Sequence, residues 1–229
     1  MFKYSFVLGL FCFLLFACGS KKEVVKQKTE QAEVFINPSS DVAIAGAVNF
    51  DDEESLSIYS AILKNVTGEK SGAYIGHQMD RLANYFENNL NPTELLRVGE
   101  GVILEFDSNT DFTFYTGKSS LNFSTKEALE IIAKALEENP KINIIIETHT
   151  DSSGDDDINL KLSQERVLSI KNHLVEQGID VNRIKTKAFG EIQPKVDNST
   201  AENRQKNRRV EFGFYASEML KAEAQEKTK

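Results

Sequence analysis

Four side chains between Asp151 and Arg166 have the types and spacing to grip a small charged group. Asn159, Ser163 and Arg166 stand at i, i+4 and i+7, which is one face of a helix. Asp151 lies just beyond the run Ile142–Glu147, which reads as a strand, and just before that helix. Strand ends beside helix starts are where open sheets with packed helices place their ligands. A guanidinium holds a carboxylate through two parallel hydrogen bonds. A carboxylate nearby would repel that anion but accept an ammonium. The pair Asp151 and Arg166 therefore suits a group that carries both charges, such as the free end of an amino acid. The plainer alternative is an Asp151–Arg166 salt bridge that only ties strand to helix, and spacing alone leaves both open.

Other chemistry is poorly supported. His77, His149 and His173 share no metal-ligand spacing. Asp155, Asp156 and Asp157 lack the glycine and closing glutamate of a calcium-binding loop and read as a solvated loop. No metal site and no cofactor are expected. Glu105, Asp107, Asp151 and Glu191 could supply carboxylates, but nothing pairs an acid with a base as glycan hydrolysis requires. No Ser-His-Asp or Cys-His set is present either, so the chain is not expected to be an enzyme. A formal charge of −8 argues against nucleic acid as the partner. The basic stretch Arg204, Lys206, Arg208 and Arg209 is better placed as a wall of the binding site.

The elements that must position these residues follow from periodicity. Ile75, Met79, Leu82, Ala83, Phe86 and Leu90 repeat at helical spacing, predicting an amphipathic helix from Ala73 to Leu90 that Asn91-Pro92 ends. Gly68, Gly72 and Gly76 precede or open it at four-residue spacing, which predicts close packing on a neighbour. Strands are predicted at Val102–Phe106, Ile142–Glu147, Arg183–Phe189 and Arg209–Tyr215. A helix capped by Ser124 or Thr125 ends at Asn139-Pro140, and another runs from Leu160 to Gln177 with Gly178 as its left-handed cap. A short helix capped by Thr200 runs through Lys206. The order βαβαβ(α)β implies an α/β (α+β sandwich) fold, with a mixed four-stranded sheet and a helix layer on one face.

The amino terminus reads as an export leader. Phe6–Phe16 is an eleven-residue apolar run, too short for a transmembrane helix and suited to a signal-peptide core. Leu15-Phe16-Ala17-Cys18 followed by Gly19-Ser20-Lys21-Lys22 resembles a bacterial lipobox, in which Cys18 is acylated. Phe16 is larger than the residue usual there. With Cys12 in the removed leader, Cys18 would be the only mature cysteine, and acylation explains it. The expected organisation is a lipoprotein signal peptide at 1–17, a flexible tether at 18–40 and a partly helical lead-in with a degenerate glycine repeat at 41–97. The main domain follows at 98–215, and a charged, frayed tail at 216–229.

The longer pattern is more specific than any one pair. Thr148-His149-Thr150-Asp151 with Gly154, Asn159-x-x-Leu162-Ser163-x-x-Arg166, Phe189-Gly190-Glu191-x-x-Pro194, Asn198-x-Thr200 and Asn207-Arg208-Arg209-Val210 resemble the OmpA-like peptidoglycan-binding domain. The resemblance covers about Val98 to Tyr215. Gly72–Arg81, Arg97–Gly101 and Phe106-Asp107-Ser108 are also similar to a branch of outer-membrane lipoproteins with a glycine-rich lead-in. It implies binding of the peptidoglycan stem peptide through the free amino-acid end of meso-diaminopimelate. By motif position, Asp151 takes the ammonium and Arg166 the carboxylate. Asn159 hydrogen-bonds nearby, Thr116 and Gly117 offer backbone groups, and Arg208 lines the pocket.

The resemblance further implies a lipid-anchored outer-membrane protein facing the periplasm that tethers membrane to wall. An envelope scaffolding lipoprotein that docks other membrane proteins is the alternative. Thr148 and Asn203 depart from the family, which has Gly at both positions, and Asn203 is read as a residue that tolerates a left-handed backbone.

Overall fold

The computed structural model describes residues 58–63 and 67–229. The leader, Cys18, the tether and residues 41–57 and 64–66 of the lead-in lie outside the described residues. Helices are α1 (Ile58–Leu63), α2 (Glu69–Asn89), α3 (Phe123–Glu138), α4 (Asp156–Glu176), α5 (Ala201–Asn207) and α6 (Glu218–Lys227). Strands are β1 (Glu94–Val98), β2 (Gly101–Asp107), β3 (Ile142–His149), β4 (Ile184–Gly190) and β5 (Arg209–Ala216). They form one mixed sheet in the order β1-β2-β5-β3-β4. Only the β3–β4 pair is parallel, joined by the α4 crossover.

All four expected strands are present, and β1 adds a fifth at the edge, so the four-strand expectation falls one short. Its residues Leu95, Leu96 and Val98 are only half-buried, and Arg97 is exposed. A short strand of this kind carries little periodic signal and is set by pairing with β2, Glu94 opposite Glu105.

The core lies between one sheet face and the helices. Leu104, Ile144, Ile146, Phe212 and Phe214 meet Ile75, Met79, Phe86, Leu129, Ile132, Leu136, Val167, Ile170 and Leu174, all buried. The predicted α2 face is therefore the face buried. At its start, a Cβ on Gly72 would lie 2.5 Å from the Glu100 carboxylate, so glycine permits the close approach to the β1–β2 turn. The Gly76 carbonyl accepts from Arg97 Nη2 at 3.2 Å on the same seam.

The crossovers predict a helix layer on one face only, but the helices occupy both. α1 covers part of the other, where Ile58 and Ile62 pack on Ile103, Ile145 and Tyr215. Gly213 supplies the hollow, because a Cβ there would meet Ile58 Cδ1 at 2.8 Å and Ile145 Cγ2 at 2.9 Å. The tail is likewise helix rather than frayed. Ser217 caps α6, Leu220 and Ala224 are buried, and Glu223 accepts from Tyr74 Oη at 2.8 Å and Lys141 Nζ at 2.5 Å. With two buried anchors among many charges, its stability is tertiary.

Two helix starts also shift. α3 is capped by Asn122, whose side chain accepts from the Thr125 backbone N–H at 2.7 Å. Thr125 is buried instead and bonds both backbone groups of Thr113, fixing the preceding loop. α4 starts four residues early because Asp155 caps it, accepting from Asp157 N at 3.0 Å. No helix among the described residues is long and apolar enough to cross a membrane.

Candidate ligand-binding site

A cleft of about 600 Å³ opens where β3 ends beside the start of α4. Its lining includes Thr116, Gly117, Asp151, Asn159, Arg166 and Arg208, so all six residues singled out from sequence meet in one place. β3 makes an irregular turn at Thr148/His149, and the Thr150 N–H then bonds the Gly190 carbonyl at 2.8 Å. This delivers Asp151 to the cleft wall. The Asp151 side chain is only 8% exposed. Its Oδ1 accepts from Ser153 N at 2.9 Å and its Oδ2 from Arg208 Nη1 at 2.5 Å. Burial pushes the carboxyl up, but the bonds from Arg208 and Ser153 outweigh it and hold it below its ordinary value.

Arg166 is placed differently. Its Nε donates to the Lys118 carbonyl at 3.1 Å, and its guanidinium lies 4.8 Å over the Phe114 ring. Burial, and then the nearby Arg208 charge, press its pKa down to about 10 against the opposing pull of Asp151. The Asp151–Arg166 salt bridge of the plainer reading is not formed, since Arg208 takes Asp151 instead. Arg208 Nη2 also donates to Ser108 Oγ at 3.1 Å, and that hydroxyl donates to the Gln205 carbonyl.

Thr116 and Gly117 sit exposed on the rim, in a turn closed by Lys118 N to the Tyr115 carbonyl at 2.9 Å. Gly117 holds φ +65, a conformation that favours glycine. Asn159 is buried, and its Nδ2 reaches Glu191 Oε2 at 2.6 Å, the Asp151 carbonyl at 3.2 Å and the Ser153 carbonyl at 3.3 Å. It braces the Asp151 loop. Thr148, whose side chain left the pocket shape open, points its hydroxyl at the Ser163 carbonyl at 2.8 Å. Asn203 needs no left-handed backbone, because it lies inside α5 with its N–H on the capping Thr200 Oγ1.

Sequence reasoning gave no role to Ser108, Ser153, Asn198 or Asn207. Asn207 is fully buried, accepts from Lys195 N and Val196 N, and donates to the Val196 carbonyl and Asn198 Oδ1. Asn198 Oδ1 in turn accepts from Ser152 N at 3.3 Å, so the β4–α5 loop is tied to the residue beside Asp151. The signal was the motif itself: a buried asparagine beside two arginines at a helix end. Among the described residues no cluster of His, Cys, Asp and Glu is arranged to hold a metal.

Residues 113–208 match the OmpA family, so the C-terminal region carries an OmpA-like domain. Among relatives, the chain is 34% identical to "Probable lipoprotein YiaD" of Escherichia coli (strain K12) over 143 residues, covering 62% of this chain and 64% of that protein. It is 39% identical to "Outer membrane protein A" of Bordetella avium over 112 residues, 49% of this chain and 57% of that protein. It is 36% identical to "Peptidoglycan-binding protein ArfA" of Mycobacterium bovis over 86 residues, 38% of this chain and 26% of that protein. The chain thus spans less than two thirds of the length of each of these relatives. The fold is shared with a putative MotB-like protein from Desulfovibrio vulgaris at a TM-score of 0.56 and 22% identity, over 64% of this chain and 94% of that one.

Proposed function

We propose that this protein binds peptidoglycan non-covalently through the diaminopimelate of the stem peptide and tethers the outer membrane to the cell wall. The observation that carries the reading is the make-up of the cleft. Asp151 is its only lining carboxylate, and Arg166 lines it with no carboxylate in ion-pair range among the described residues. In this reading Asp151 takes the ligand's ammonium and Arg166 its carboxylate. Thr116 and Gly117 offer rim backbone groups, Asn159 keeps the Asp151 loop in place, and Arg208 lines the wall. The relatives' names, one a probable lipoprotein and one a peptidoglycan-binding protein, support this chemistry. Anchoring through an acylated Cys18, with the domain on the periplasmic side, rests on the lipobox-like sequence. The role is adhesion rather than catalysis, and many weak contacts held at one membrane surface add up.

The test is calorimetric titration of the protein with meso-diaminopimelate, alongside co-sedimentation with purified sacculi. Saturable binding is expected in the wild type. Asp151→Ala and Arg166→Ala should each weaken it by about 2–5 kcal/mol, because the partner charge is left unpaired. Wild-type protein that binds neither the free amino acid nor sacculi overturns the reading. The anchor is tested separately by fatty-acid labelling, expected in wild type and lost in Cys18→Ala.

A further inference from the structure

We propose that Arg208 makes the cleft selective for stem peptides that end in diaminopimelate, with both of its carboxylates free. This rests on the reading of the cleft as a diaminopimelate site and adds which stem it takes. Among the described residues, the ionisable side chains lining the cleft are His149, Asp151, Arg166, Arg208 and Arg209. Arg209 is committed to Glu211 at 2.6 Å, and burial keeps His149 neutral. One anion and two cations remain, so the cleft carries a net positive charge.

The pairing already present shows how that excess would be used. Arg208 Nη1 sits on Asp151 Oδ2, while Oδ1 is occupied by the Ser153 N–H. A ligand ammonium reaching Asp151 has to share or displace Arg208. Arg208, whose side chain is 38% exposed, then loses its anion while a second guanidinium stands within electrostatic reach. A simple zwitterion supplies one carboxylate, which Arg166 takes, and leaves Arg208 uncompensated. A second carboxylate on the ligand restores balance, two anions for two guanidinia and one ammonium for Asp151.

Diaminopimelate within a stem peptide supplies that second anion only at the chain end. Its side-chain end carries an ammonium and a carboxylate. Its main-chain carboxyl is ionised when it is the last residue and is an uncharged amide when another residue follows. Arg208 therefore reads whether the chain continues.

The experiment titrates the detergent-purified protein with three synthetic peptides: the tripeptide L-Ala-γ-D-Glu-meso-diaminopimelate, the same tripeptide with its main-chain carboxyl amidated, and the tetrapeptide with D-Ala added. Wild type should bind the free tripeptide about tenfold tighter than either of the others, the worth of one charge-assisted pair. In Arg208→Gln that ratio should fall to about one while the tripeptide still binds. Arg208→Lys should restore part of the preference, since it returns the charge without the fork. Equal wild-type affinity for free and amidated tripeptide overturns the proposal and leaves the diaminopimelate site standing. So does a preference that survives Arg208→Gln. Failure of wild type to bind any of the three overturns both.

Discussion

Thr148 Oγ1 donates to the Ser163 carbonyl at 2.8 Å, joining the end of β3 to the middle of α4. The Ser163 hydroxyl continues the link, donating to the Leu160 carbonyl at 2.7 Å and accepting from Gly190 N at 2.9 Å. Three elements are thereby locked behind the cleft, and the bonds from Thr148 and from Gly190 are buried. Thr148→Val keeps the shape and removes the donor. It should cost about 1–2 kcal/mol of stability, read by urea denaturation. Ligand affinity should change by less than about threefold, roughly 0.6 kcal/mol, because the hydroxyl points at the helix. A tenfold loss of affinity would show that Thr148 touches the ligand.

Gly190 makes the other half of that junction. It holds φ +52, and a Cβ there would lie 2.9 Å from Leu160 N and 3.0 Å from Leu160 Cα. Both obstacles are backbone and cannot swing aside. Gly190→Ala should therefore destabilise by about 2–4 kcal/mol. It should also weaken binding, since the Gly190 carbonyl receives Thr150 N and the first turn of α4 carries Asn159. Full affinity with reduced stability would mean that the junction positions nothing in the cleft.

The C-terminal helix contributes stability, not ligand contacts. Leu220 is 4% exposed and Ala224 is fully buried against the core. Leu220→Ala should cost about 2–3 kcal/mol and lower the melting temperature by roughly 5–10 °C. Diaminopimelate affinity measured well below the melting transition should stay at the wild-type value. An unchanged melting temperature would mean that α6 docks weakly.

The site was more legible than some of the elements around it. Asn159, Ser163 and Arg166 declare themselves because helical spacing puts them on one face, whatever the rest of the chain does. Arg208 comes from a segment distant in sequence and was placed through its basic stretch and the motif resemblance. Its bond to Asp151 was not readable at all, because the reach of a long side chain across a cleft is set by tertiary packing. The same limit hid β1, α1 and α6. Leu95 and Leu96 gain strand character from β2; Ile58 is held by the hollow at Gly213, Ile62 by the one at Gly101, and Leu220 by the core it meets. Long periodic elements such as α2 and β3 carry their signal locally and were found.

The sheet face opposite the main core holds a row of charges that makes stability depend on pH. Glu94, Glu105, Glu211, Glu147 and Lys187 stand opposite one another across all five strands. Lys195 reaches Glu94 and Glu105, and Arg209 holds Glu211. Glu147 is 2% exposed, and its Oε1 has no hydrogen-bond partner among the described residues. Burial first, then the charge of Glu211, push its pKa up to about 8, against the pull of Lys187, the Ile58 N–H and Arg209. An unfolded glutamate ionises near pH 4.3. Between that pH and 8 the unfolded state is ionised and the folded state keeps the proton, so stability falls as pH rises. His149 acts oppositely at lower pH. Burial keeps it neutral when folded, so stability rises with pH until the unfolded imidazole also loses its proton near 6.5. The Glu147 effect is therefore isolated between about pH 6.5 and 8, where wild-type stability should decline. Glu147→Gln copies the protonated form and should flatten that decline. The variant's melting temperature should exceed wild type by about 4 °C or more at pH 8 and by much less at pH 5. Parallel wild-type and variant curves across this range would show that Glu147 is ionised in the folded protein at neutral pH.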